Sequence, residues 1–351
     1  MAKIPVAVLA ATGAVGQRFV QLLANHPWFE IVAVTGSPRT AGERYGDNVR
    51  WILTDPMPAS VADLVVQATA PNLEVPVVFS ALPTAEAREL EPQFAAAGYA
   101  VVTNASAFRM AENIPLLIPE INPDHTTLIP RQQEKSGWSG FIVASPNCST
   151  TSVVLPLHIF QQEFGLEAAL ITTLQAISGA GYPGVSGLDI LDNIVPYIPG
   201  EDEKLEQEPK KLLGLIKNGA LQMSSLRLSA KATRVPVRDG HLAIVSVALH
   251  EKPTLQEAIN VLCAWEPPAI AANLPSSPER TLIYRPEPDR PQPRLDRASE
   301  DGLAWTVGNV RTCDVLDLRY MALTHNTLRG AASGSILNAE LLVKQGYISR
   351  R

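Results

Sequence analysis

Ile4-Pro5-Val6-Ala7-Val8-Leu9-Ala10-Ala11-Thr12-Gly13-Ala14-Val15-Gly16 passes from an apolar run into a glycine turn. Ile4 to Ala10 reads as a buried strand, and Val15, Phe19, Leu22 and Leu23 recur at helical spacing behind the turn. A strand, a glycine turn and a helix form the arrangement in which backbone N–H groups and a helix N-terminus hold a pyrophosphate. Ala10 stands where a glycine would complete the fuller fingerprint. The same residues without a ligand would make a tight strand-to-helix turn.

A second strand, Ile31-Val32-Ala33-Val34, follows. An acidic residue at its end would accept hydrogen bonds from the ribose 2′-hydroxyl of NAD. This chain has Thr35-Gly36-Ser37-Pro38-Arg39-Thr40 there, three hydroxyl residues and a guanidinium that suit the 2′-phosphate of NADP, the alternative being a solvated surface arginine. Val75 to Phe79, ending in Ser80, and Tyr99 to Thr103, ending in Asn104-Ala105-Ser106, read as further strands. Thr84 to Ala97 reads as a helix between them, capped by Thr84. Strands alternating with helices imply a parallel sheet whose strand ends frame a ligand crevice, with Arg109 just beyond.

Ser145-Pro146-Asn147-Cys148-Ser149-Thr150-Thr151 follows another apolar run, Gly140 to Ala144, and places Cys148 where a helix to Phe164 begins, with Pro156 inside it. Free amides and the positive end of a helix favour an anion, so a cysteine there should ionise more readily than a free one. The plainer alternative is a small buried hydrophobe.

In the second half, Ala168 to Ile177 reads as a strand that brings Gln175 to its end, ahead of the glycine-rich loop Ser178 to Gly184. Gly200 to Gly219 reads as a charged helix on which Glu208 and Lys211 lie one turn apart, either solvated or facing inward as a pair. Arg234 and Asp239-Gly240-His241 lead into a strand from Leu242 to Leu249. An arginine fork is thus set beside a titratable group. Glu266 to Arg297 is proline-rich and reads as an irregular excursion or subunit contact. The tail returns as strands at Ala304 to Val310 and Met321 to Leu323, then a helix from about Gly330 to Gln345.

At 351 residues, 46% hydrophobic and 18% charged, the chain is expected to fold as two domains. A net charge of −6 disfavours nucleic acid. Cys148, Cys263 and Cys313 are too far apart for a C-x-x-C pair, so a reducing compartment is expected and a metal site is not. With no signal-peptide pattern and no run long enough to cross a membrane, the expectation is a cytoplasmic protein.

Seven pieces lie in one order: Thr12 to Gly16, Ser37 to Gly42, Asn104 to Arg109, Ser145 to Cys148, Gln175 to Gly181, Arg234 to Val237 with Gly240-His241, and Asn326-Thr327 with Gly330 to Ala332. In them the chain resembles the aspartate-β-semialdehyde dehydrogenase family, its archaeal and fungal branch above all. The resemblance implies an α/β protein with an N-terminal Rossmann-type domain for NADP, residues 1–147 plus 326–351. It implies a second α+β domain for catalysis and dimerisation, residues 148–325, with the C-terminal helix returning to the first.

By the same resemblance Cys148 is the nucleophile, His241 the general acid/base and Gln175 the residue that orients the acyl group. The Cys148 N–H and the Asn147 side chain would hold the oxyanion. Arg234 would clamp the substrate carboxylate, Arg109 and Lys211 the phosphate, and Glu208 the amino group. Thr12, Gly13, Ala14, Val15, Gly16, Ser37, Arg39, Thr40, Ser80, Asn104, Ser178, Gly179 and Asn326 would hold the cofactor, with Ala10 and Glu43 as departures from the pattern. The implied reaction is NADPH-dependent conversion of L-4-aspartyl phosphate to L-aspartate 4-semialdehyde through a cysteine thioester, releasing inorganic phosphate and serving lysine, threonine and methionine biosynthesis. The same chemistry would serve a malonyl-CoA or other acyl-CoA or acyl-phosphate reductase. A homodimer or homotetramer is expected.

Overall fold

The computed structural model describes residues 2–349. Its first sheet joins β1 (Ile4–Leu9), β2 (Phe29–Gly36), β3 (Val66–Ala68), β4 (Val77–Ser80), β5 (Ala100–Thr103) and β6 (Phe141–Ala144) in the order β3-β2-β1-β4-β5-β6. Every pairing is parallel. Strands buried on both faces read as unbroken apolar runs, and alternate residues divide between two layers. Val6, Val8, Val77 and Phe79 join the core cluster of helix α1 (Ala14–Leu23), while Ala7, Leu9, Val78 and Val101 join that of helix α2 (Thr84–Ala96). The strand order reverses between β1 and β4, so the loops after these strands diverge and open a crevice at their carboxyl ends.

Helix α3 (Cys148–Phe164) leaves this sheet and packs on a second one. That sheet is built from β7 (Leu166–Gln175), β10 (Arg227–Arg234), β11 (His241–Leu249), β12 (Leu282–Arg285), β13 (Trp305–Thr312) and β14 (Leu318–Thr324), in the order β10-β7-β11-β14-β13-β12. Helix α4 (Glu201–Leu212) precedes a hairpin of β8 (Leu215–Lys217) and β9 (Ala220–Gln222), and α5 (Leu255–Ala264) lies beside α3. Helix α6 (Ser333–Lys344) returns to the first core, where Ile336, Leu337, Leu341 and Leu342 pack with Phe19 and Phe79.

Several expectations need correction. The charged helix stops at Leu212 rather than Gly219, and the remainder folds as the β8–β9 hairpin. Thr84 is the first helical residue of α2, not its cap: Pro83 holds the cap position, and the Thr84 hydroxyl bonds Ser106 Oγ at 2.9 Å. The proline-rich excursion contributes β12, an edge strand parallel to β13. Sequence reading missed β10, because Arg227, Ser229 and Lys231 give it a polar outer face.

The turn after β1 depends on the absence of side chains. A Cβ on Gly16 would lie 2.3 Å from Ala10 O and 2.6 Å from Ala11 Cα, both backbone atoms that cannot move aside. Ala10 itself sits at φ 54°, a left-handed conformation that costs a non-glycine residue about 1–2 kcal/mol. Tyr45 Oη donates to Ala11 O at 2.8 Å and fixes the turn from below. Gly16→Ala should therefore destabilise the fold by about 2 kcal/mol or more, read as a drop in thermal midpoint. Gly13→Ala, whose Cβ would meet only Ala10 O at 3.7 Å, should melt close to the parent.

Candidate active site

Pro146 ends the run after β6, and Asn147 caps α3, its Oδ1 accepting the Cys148 N–H at 3.0 Å. Cys148 thus opens the helix at the floor of a crevice of about 950 Å³. Ala14, Val15 and Asn104 of the first sheet's loops line this crevice, as do Ser178, Gly179 and Lys204 of the second half.

Cys148 Sγ lies 3.2 Å from His241 Nε2, and His241 Nδ1 accepts the Ala176 N–H at 3.0 Å. That backbone bond assigns the ring hydrogen to Nε2, so His241 meets the sulfur as a donor. The thiol hydrogen has its own acceptor in Asn147 Oδ1, at 3.6 Å. Burial, reinforced by the Arg234 charge, pulls the His241 imidazole down to about 3. Burial and the Glu201 carboxylate push the Cys148 thiol up to about 12, against the opposing pull of Arg109, Arg234 and Lys204. The pair therefore rests as thiol and neutral imidazole. Without substrate, burial raises the thiol instead of leaving it readily ionised, and the neutral His241 ring faces the sulfur with Nε2 as a hydrogen-bond donor.

Glu201, which sequence reading passed over, organises the floor. Its Oε2 accepts from Asn147 Nδ2 at 2.7 Å, Ser149 Oγ at 3.0 Å and Gln175 Nε2 at 3.1 Å, and its Oε1 accepts from Lys204 Nζ at 2.8 Å. Burial alone would push this carboxyl up, but Lys204 and the amide donors outweigh it and hold the carboxyl at about 2. The Asn147 amide and the Cys148 N–H are thereby engaged within the protein, so the expected oxyanion donors are not free in this arrangement. Gln175 Oε1 accepts from Arg234 Nη1 at 3.4 Å, and Arg234 also donates to Ala176 O at 2.8 Å. Gly179 has to be a glycine here: a Cβ would fall 2.6 Å from Arg234 Nη1 and 2.9 Å from His241 Cε1.

Glu208 and Lys211 both face inward and are buried, each held by protein partners instead of by the other. Glu208 Oε1 accepts from Arg109 Nη1 at 3.0 Å and its Oε2 from the Asn147 N–H at 2.7 Å. Lys211 Nζ donates to the carbonyls of Arg109, Ala111 and Ile114 at 2.7–2.8 Å. Burial pulls this lysine down to about 7, yet three acceptors require three ammonium hydrogens and favour the charged form. Lys204, one turn from Glu201, is the lysine that lines the crevice. Spacing could not separate the two pairs, since Glu201 and Lys204 are as far apart as Glu208 and Lys211.

Of the residues expected at the cofactor, Ala14, Val15, Asn104, Ser178, Gly179 and Asn326 line the crevice. Thr12 and Gly13 lie in the turn that leads into α1, and Gly16 lies in the helix's first turn. Ser37, Arg39 and Thr40 make an exposed turn after β2, in which the Thr40 N–H donates to Ser37 O at 2.9 Å. Ser80 is fully buried and its hydroxyl accepts the Leu82 N–H, so it stands behind the crevice wall. Asn326 Nδ2 donates to Ser178 Oγ and its Oδ1 accepts the Gly240 N–H, each at 2.8 Å. A Cβ on Gly330 would fall 2.8 Å from Cys148 Cβ, so the returning chain is pressed against the nucleophile. Among the described residues no group of three or more His, Cys, Asp and Glu is arranged to hold a metal, and no helix is long and apolar enough to cross a membrane.

A dinucleotide-type turn and a cysteine–histidine pair that open on one crevice define a nicotinamide-dependent oxidoreductase of the semialdehyde dehydrogenase class. Residues 5–129 match the family model for a semialdehyde dehydrogenase NAD-binding domain, and residues 156–329 the model for a semialdehyde dehydrogenase dimerisation domain. The aspartate-semialdehyde dehydrogenase of Archaeoglobus fulgidus is 46% identical over 98% of this chain and 99% of its own. That of Cryptococcus neoformans is 44% identical over 99% and 98%. The crystal structure of the Candida albicans enzyme with NADP superposes with a TM-score of 0.91 at 41% identity, covering 99% of this chain and 100% of that one. The chain belongs to the aspartate-semialdehyde dehydrogenase family.

Gly330→Ala should displace Cys148 and lower kcat about a hundredfold while leaving the fold intact, checked by steady-state kinetics beside circular dichroism. Alkylation of Cys148 by iodoacetamide should accelerate with each pH unit to beyond pH 9. A plateau beginning near pH 7 would show a resting thiolate instead.

Proposed function

We propose that the protein reduces L-4-aspartyl phosphate to L-aspartate 4-semialdehyde and inorganic phosphate through a thioester on Cys148, with NADPH as reductant. The observation that carries this reading is the 3.2 Å contact between Cys148 Sγ and His241 Nε2, on the floor of the crevice that Ala14 and Val15 also line.

The residues present fit NADP. Helix α1 starts at Ala14 behind Gly13 with no side-chain cap, which leaves its first amides to an anion. The turn after β2 carries Arg39 and no carboxylate, and Glu43 beyond it is engaged by Asn48 Nδ2 at 3.4 Å. Arg39 with Ser37 and Thr40 would hold the 2′-phosphate, and the bound cofactor supplies a hydride to the thioester carbon.

The chain's own groups account for the rest. Arg234 faces the substrate carboxylate, and Arg109 with Lys204, in place of Lys211, faces the phosphate. Glu201, in place of Glu208, offers Oε1 to the ammonium. The sulfur attacks the acyl carbon, the carbon–oxygen bond to phosphate breaks, and the thiol proton leaves on the phosphate. Covalent capture divides one hard reduction into two easier steps. After reduction the carbon–sulfur bond breaks to release the aldehyde, and the sulfur recovers a proton from solvent. His241 Nε2–H serves throughout as a donor, first to the sulfur and then to the tetrahedral oxyanion beside it. The product would feed lysine, threonine and methionine biosynthesis. Self-association as a homodimer fits the outer face of the second sheet, where Leu170 and Ile244 are exposed.

Cys148→Ala should abolish turnover and leave NADPH affinity within about twofold, measured by nucleotide fluorescence titration. Aspartate semialdehyde should be oxidised only with phosphate present. Activity with malonate semialdehyde and CoA instead would favour the acyl-CoA reductase reading. Arg39→Ala should raise KM for NADPH about tenfold while KM for NADH stays put, as expected for one lost charge-assisted hydrogen bond.

A further inference from the structure

Helix α2 turns Ala87, Phe94 and Ala95 into the core, and in the middle of that stripe it buries a carboxylic acid, Glu91, with no exposed surface. A buried carboxyl is costly unless hydrogen bonds compensate it. Thr103 Oγ1, at the end of β5, donates to Glu91 Oε1 at 2.5 Å. The same Thr103 oxygen accepts the Ala105 N–H at 2.9 Å, so the hydroxyl relays the hold of Glu91 into the loop that carries Asn104 and Ser106 along the crevice. Glu91 Oε2 has no partner within hydrogen-bond geometry, and burial pushes the carboxyl up to about 7 against the smaller opposing pull of the Thr103 and Ser80 hydroxyls. Thr84, two helical turns before Glu91 on the same face of α2, bonds Ser106 Oγ at the rim. One helix face therefore grips the loop from beneath and from above. The loop in turn bears Asn104, whose carbonyl accepts Arg109 Nη2 at 2.7 Å and whose Nδ2 donates to Ser335 Oγ at 2.9 Å.

We propose that Glu91 is a positioning residue which, through Thr103, holds the Asn104–Ser106 loop in the register that binds the dinucleotide. The inference rests on the reading that NADPH lies over these strand ends. Glu91 reaches the cofactor only through the loop, so its loss falls on affinity and spares kcat at saturating NADPH.

The test compares full-length Glu91→Leu, Glu91→Gln and Thr103→Val with the parent, by NADPH fluorescence titration, kcat at saturating NADPH and thermal midpoint. Glu91→Leu keeps an apolar group of similar size in the core and should weaken NADPH binding about tenfold, the weight of one lost hydrogen bond, with kcat within about twofold. Glu91→Gln retains an acceptor for Thr103 and should bind within about twofold of the parent. Thr103→Val should match Glu91→Leu, and the double variant should be no weaker than either. Parental affinity in a folded Glu91→Leu, or equal losses in Glu91→Leu and Glu91→Gln, overturns the proposal. Should Glu91→Leu not fold, parental affinity in Thr103→Val overturns it instead. Failure of the parent itself to bind NADPH overturns the dinucleotide reading, and this inference with it.

Discussion

Glu201 draws together donors from three separate elements, and the geometry of the reacting groups follows from that convergence. Asn147 precedes α3, Ser149 lies in its first turn, Gln175 ends β7 and Lys204 follows on α4. Four donors on one carboxylate keep it charged far below neutrality, at about 2, so the junction survives any pH at which the protein works. Through Asn147 the carboxylate fixes the acceptor for both the Cys148 amide and thiol, and through Gln175 it fixes a neighbour of Arg234. Its negative charge also raises the thiol it helps to place. Glu201 thus helps to place Cys148 and adds to the burial that withholds its ionisation.

That trade suits a cysteine that must wait in an open crevice. Oxidation and adventitious alkylation follow thiolate character, and the burial and Glu201 charge that push this thiol up disfavour both. Arg109, Arg234 and Lys204 oppose that shift, each favouring the thiolate, the form that the proposed acyl transfer would draw on. His241 rests neutral beside the sulfur. Its Nδ1 is occupied by the Ala176 N–H, and its surroundings hold the ring neutral down to about 3. What the ring offers is a fixed donor at Nε2, aimed where charge accumulates as sulfur enters and leaves.

The alternation of strand and helix, the glycine turn and the cysteine at a helix start were all readable in the sequence, because each is encoded over a few adjacent residues. Pairing on α4 was not readable. Glu201 with Lys204 and Glu208 with Lys211 repeat the same spacing seven residues apart, two helical turns, so both pairs lie on one face and periodicity cannot rank them. Only the depth at which α4 meets Asn147 decides that the first pair floors the crevice, while the second braces Arg109 and its neighbouring carbonyls. The orientation of His241 was likewise out of reach, since it is set by a backbone amide of β7's exit, 65 positions earlier. A strand such as β10, polar on its outer face, carries too little apolar alternation to be recognised until β7 lies beside it.

The chain's return to the crevice joins the two halves. Arg329 stacks 4.0 Å from the Trp305 ring and pairs with Glu120, and the Trp305 indole donates to Thr151 O within α3 at 2.5 Å. Next to Arg329, Gly330 bears directly on Cys148, and Asn326 spans from the Gly240 amide to Ser178. One segment therefore touches the nucleophile helix, the turn before His241 and the glycine-rich loop, and it then enters α6 and the core behind the dinucleotide turn. Because α6 is packed against the first sheet and Arg329 against the second, movement of either sheet alone would drag Gly330 across Cys148. The spacing between the nucleotide turn and the sulfur is thus set by a segment that belongs to both cores, and the proposed hydride transfer to a carbon held on that sulfur would depend on it.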